Sequence, residues 1–117
     1  MEALKSVCNT IWLYIESFAK SVWEWTVDAV KKAFKWISTS IYDLFAKIKN
    51  LRGSPALDSD DMRFLDAYEA KLQDANNDLL RFQKVCEKAV VGTDAEKLKA
   101  KSTLDALATM IRSAESG

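Results

Sequence analysis

Apolar side chains recur every three to four positions along almost the whole chain and nowhere alternate one in two, so the pattern predicts helices and no strands. The longest run covers residues 1–52. Reading every eleventh residue there gives columns of nearly constant character: Ile11, Val22, Ala33, Leu44; Trp12, Trp23, Phe34, Phe45; Tyr14, Trp25, Trp36; Cys8, Ala19, Val30, Ile41. Eleven residues over three turns is about 3.67 per turn, close to the natural α-helix, so such a stripe runs straight without left-handed supercoiling. One helix of roughly 70 Å is expected at 1.5 Å per residue. On its wheel the apolar arc spans roughly 200°, with Trp12 and Trp23 on one border and Trp25 and Trp36 on the other. A border suits a ring that is apolar apart from one N–H. After Ser38-Thr39-Ser40 the stripe rotates, which points to a bend or a change of partner near residue 39.

The segment LRGSPALDSDD ends that helix: Gly53 is the expected left-handed cap and Pro55 cannot continue a helix. Asp58 or Ser59 can cap a second helix, with Asp60 and Asp61 favourable against its dipole. Leu65, Tyr68, Leu72, Ala75, Leu79, Phe82, Cys86 and Ala89 form an unbroken stripe up to Gly92. Thr93 and Glu96 then make a capping box that opens a third helix, with Leu98, Leu104, Leu107, Ile111 and Ala114 as its apolar positions. The expected fold is therefore all-α: a long N-terminal amphipathic helix (1–52), a turn (53–57) and an antiparallel helical hairpin (58–117, with helices at 58–91 and 94–114), three helices open to oligomeric bundling.

The hairpin has a limited reach. Folded back from the turn, the second helix covers the first only as far as about Ile15 or Ser17, so the face from Leu4 to Ile15 is expected to lie bare. Alternatively the first helix stands apart from a small hairpin, and either way it needs an external partner. Self-association through the long helix, as an oligomer or filament, is the first functional expectation. Its contact residues would be Val7, Ile11, Trp12, Tyr14, Ile15, Phe18, Val22, Trp23, Trp25 and Trp36.

Charge modifies this picture slightly. Formal net charge is zero, which argues against nucleic acid as the main partner. Residues 1–52 nevertheless carry eight Lys/Arg against five Asp/Glu, and residues 53–117 nine against twelve, so the halves differ in sign. Opposite halves suit head-to-tail packing, or attraction of the first half to an anionic surface. Eleven-residue amphipathic repeats bordered by Trp and Lys resemble those of apolipoprotein-like and other lipid-surface helices, a resemblance confined to the first 50 residues. It implies the alternative function, binding to a membrane surface or forming a pore through the same residues. No window holds eighteen uninterrupted apolar residues, so no transmembrane helix is expected.

The chain offers little for catalysis. It has no histidine, no Gly-rich phosphate loop and no Cys-His pair. Asp58, Asp60 and Asp61 crowd a helix start where capping accounts for them, and Asp74 and Asp78 share a face with Lys71, Arg81 and Lys84 in an ion-paired surface. Cys8 and Cys86 each fall on an apolar face, as buried thiols in a reducing compartment such as the cytoplasm do. A non-enzymatic protein without cofactor, metal or small-molecule substrate is expected.

Overall fold

The structure, a computed structural model, describes residues 2–112. It is all-helical, with α1 at Glu2–Lys20, a short 3-10 turn at Val22–Glu24, α2 at Val27–Arg52, α3 at Ser59–Val90 and α4 at Asp94–Arg112. Four helices replace the expected three because the first is interrupted between Ser21 and Thr26. Position 114, expected at the end of the last helix, lies outside the described residues.

Local chemistry accounts for the interruption. At the end of α1 the Phe18 carbonyl, which a continuing helix would satisfy from residue 22, accepts instead from the Ser21 N–H, the Ser21 hydroxyl and the Trp25 indole N–H at 3.1, 2.8 and 2.9 Å. Trp25 is extended, and Thr26 starts α2 as its N-cap, its hydroxyl oxygen accepting from the Ala29 N–H at 3.0 Å. Asp28 in the first turn of α2 and Lys20 in the last turn of α1 each suit the local dipole. Near residue 39, where a bend or a change of partner was expected, α2 is unbroken from Val27 to Arg52.

The other helix ends follow their predicted signals more closely. Asp58 and Asp61 form a reciprocal capping box at the start of α3, and Thr93 and Glu96 do the same before α4. Gly92 makes room for the latter, because a Cβ there would stand 3.0 Å from the returning Glu96 carboxyl carbon. Gly53 departs from expectation. Its φ of −80° is right-handed, and it ends α2 by donating its N–H to the Asn50 carbonyl.

The four helices run up, down, up and down, each packed on its two chain neighbours, with α4 closing onto α1. Side-chain pairs set the register: Tyr14 stacks on Trp36, Arg52 pairs with Asp66, Tyr68 reaches Ile111, and Trp23 reaches Asp94. The bundle measures 52 × 22 × 21 Å, its length matching that of α3. Leu4, Cys8, Ile11, Ile15 and Ala19 of α1, Val30 to Ile48 of α2, the whole predicted stripe of α3, and Ala100, Leu104, Leu107, Ala108 and Ile111 of α4 share one core.

This arrangement overturns the expectation of a bare Leu4–Ile15 face. With α1 folded back at Ser21–Thr26, α4 lies along it and α2 flanks it, so Leu4, Ile11 and Ile15 are almost wholly buried. Leu98 is a second correction. It stands 120° off the stripe of Leu104 and is exposed, while Ala100 takes the core position.

Candidate interaction surface

Most of the expected contact residues face inward. Ile11, Ile15, Val22 and Trp25 are buried, and Val7, Trp12, Tyr14, Phe18 and Trp36 are half-buried against the core. Trp23 alone of the ten is exposed, at 55%.

Aromatic packing between α1 and α2 explains this split. Tyr14, Trp25 and Trp36 form one eleven-residue column, and the chain folds back around its middle member. Residues equally distant from Trp25 therefore meet, and Tyr14 stacks on Trp36 with ring centroids 4.0 Å apart. Trp25 itself lies flat on Phe18 at 4.5 Å, with its N–H on the Phe18 carbonyl. Tyr14, Phe18 and Trp36 are therefore half-buried against one another and the core, not free for an outside partner. On the opposite side of α1 the Arg112 guanidinium covers the Trp12 ring at 4.1 Å.

Trp23 has a different environment. It belongs to the 3-10 turn at the end of the bundle, and its N–H makes one long bond, 3.4 Å, to the Asp94 carboxylate at the start of α4. The same end carries Val27 at the start of α2, Val91 in the α3–α4 turn and Leu98 in the second turn of α4, all exposed. Leu13, Tyr42 and Leu80, the other large exposed apolar side chains, lie singly along the flanks of α1, α2 and α3. This end of the bundle, its tip, thus carries four exposed large apolar side chains in segments that also hold Lys20, Glu24, Asp28 and Asp94. Sequence periodicity pointed to Trp23, assigned Leu98 to the core and passed over Val91. Val91, beside Gly92 in a turn, belongs to no stripe and could have been singled out as a large apolar residue where polar ones are usual.

Inside the bundle one polar contact links three helices. Tyr68 donates its proton to the Ile111 carbonyl at 2.9 Å and lies 2.8 Å from the Cys8 sulfur, whose thiol can donate to the phenol oxygen. Burial first, and then the neighbouring Cys8, raises the Tyr68 pKa. Burial, with a smaller contribution from the Glu87 charge, pushes the Cys86 thiol up to about 12. Both groups stay protonated near neutral pH, so neither is a ready nucleophile. Among the described residues no group of His, Cys, Asp and Glu is placed to hold a metal ion, and no helix is long and apolar enough to cross a membrane.

No family model, no curated protein and no solved structure matches the chain.

Proposed function

We propose that the chain is a non-enzymatic interaction protein that self-associates, and that the contact is the apolar tip at Trp23. The observation that carries this reading is that four exposed large apolar side chains, Trp23, Val27, Val91 and Leu98, fall at one end of the bundle, while Leu13, Tyr42 and Leu80 are spread over three different helices. Exposed Trp with adjacent aliphatic side chains is the composition of an interface centre, and mixed charges around it suit a polar rim. Two tips meeting about a two-fold axis would bury each Trp23 against the partner's Val91, a self-complementary contact. This replaces the long-helix contact expected from sequence, because in the closed bundle Ile11 and Ile15 are not available.

Sedimentation velocity over a wide concentration range tests the reading. The chain should form a dimer or larger species, and Trp23→Ser with Val91→Ser should raise its dissociation constant roughly thirtyfold or more, as loss of a central anchor costs at least about 2 kcal/mol. Helicity should not change. A wild-type chain that stays monomeric throughout, or a double variant that associates equally well, would refute the tip as the contact.

Membrane-surface contact is the second reading. What favours it lies on α3 and α4, along the seam that ends beside Val91.

A further inference from the structure

A surface groove of about 430 Å³ runs along the seam of α3 and α4, lined by Arg81, Lys84, Val85, Lys88, Glu96 and Lys99. Its charged lining is four cations and one carboxylate. The carboxylate is already engaged, since Glu96 accepts from the Thr93 N–H in the capping box. Arg81 pairs with Asp78 and leans on the Phe82 ring. Lys84, Lys88 and Lys99 form no ion pair among the described residues, and they stand exposed.

Helical spacing makes this a directed surface. Arg81, Lys84 and Lys88 rise along one stripe of α3, with Lys99 facing them from α4. Like charges one turn apart repel, so an anion bound between them removes a penalty as well as making new bonds. Elsewhere the polar surface mixes signs, as in the Glu16–Lys20 and Asp28–Lys32 pairs. The groove is also partly apolar, with half-buried Val85 in its lining, and Val91, 87% exposed, follows Lys88 by three residues at the C-terminal cap of α3. Cations around a partly apolar groove, beside a protruding valine, match a partner with phosphate groups at its surface and hydrocarbon beneath.

We propose that this groove docks the chain on an anionic phospholipid surface, with Lys84, Lys88 and Lys99 reaching headgroup phosphates and Val91 entering the interface. Lysine suits this geometry because its long apolar stem can lie along Val85 while the ammonium extends to the phosphate. The surface shares Val91 with the Trp23 contact but none of its cations, so the Lys84, Lys88 and Lys99 variants test this proposal without touching the residues that test the other.

Flotation with vesicles of phosphatidylcholine alone, or of an equimolar mixture with phosphatidylglycerol, tests it. The full chain should float only with the mixed vesicles, and salt should weaken the binding. Lys84→Gln, Lys88→Gln and Lys99→Gln together should lower partitioning on the order of a hundredfold, following the usual contribution of each surface lysine. Arg at the same three positions should retain it. All these side chains are exposed, so circular dichroism should report unchanged helicity. Equal binding to both vesicles, no binding to either, or a Gln variant that binds like wild type would overturn the proposal. Displacement by a modest excess of inorganic phosphate would reassign the groove to a free anion. Loss of self-association by the Gln variant in lipid-free buffer would reassign it to a protein contact.

Discussion

Replacing Ile15 with aspartate should unfold the chain, not merely dissociate it. Ile15 has no measurable solvent exposure and sits among apolar side chains, with no buried charged residue among the described positions to pair with a carboxylate. Losing a buried isoleucine costs about 2–5 kcal/mol. An unpaired buried charge adds a further cost of similar size. Together these approach the whole stability of an ordinary domain, about 5–15 kcal/mol. In a thermal melt followed by circular dichroism, Ile15→Asp should lower the midpoint by more than about 20 °C or abolish the cooperative transition. If Ile15 instead lay on a bare face awaiting a partner, the variant would melt like wild type and lose only association.

The second large effect separates two tryptophans that look alike in the sequence. Trp23 and Trp25 both border the apolar arc of a continuous helix, yet Trp25 is 7% exposed and Trp23 55%. Trp25 covers Phe18 and donates to its carbonyl at the break between α1 and α2. Trp25→Ala should therefore cost about 3–5 kcal/mol in urea unfolding, the range for truncating a buried aromatic. Trp25→Phe should fall between, keeping the stack but losing a hydrogen bond of about 1 kcal/mol. Measured at a dilution where the chain is monomeric, Trp23→Ala should stay within about 0.5 kcal/mol of wild type, as expected for a surface position. Equal losses at the two positions would contradict the assignment of Trp25 to the turn and Trp23 to the tip.

The contrast shows where sequence reasoning reached and where it stopped. The stripe from Leu65 to Ala89 was legible because one period ran unbroken for the length of α3, and every position in it is buried. The Asp58 and Thr93 caps were legible because their partners lie three residues on. The break at Ser21–Thr26 was hidden by the repeat itself. Each half of residues 1–52 carries a complete apolar stripe, so the same columns suit a straight helix or a helix folded on its own continuation. Thr26 followed by Asp28 was an available start signal, but Thr26 lies eleven residues from both Ile15 and Ile37, so the repeat places it on an apolar face. Once the break was missed, the bare Leu4–Ile15 face followed, and with it the wrong set of exposed residues. The pairing of α4 with α3 was legible as the hairpin about Gly92, but which side chains would line the seam between them, Lys84, Lys88 and Lys99 among them, was not.

Everything rests on the first 52 residues folding back on themselves. Spin labels on cysteines introduced by Lys5→Cys and Lys47→Cys, with Cys8→Ala and Cys86→Ala and dilution into unlabelled chain, measure this directly by pulsed electron resonance. In the bundle the two positions sit on adjacent antiparallel helices, so the distance should be short, near the 22 Å cross-section. A distance near 63 Å, the rise of an uninterrupted helix between them at about 1.5 Å per residue, would contradict the account.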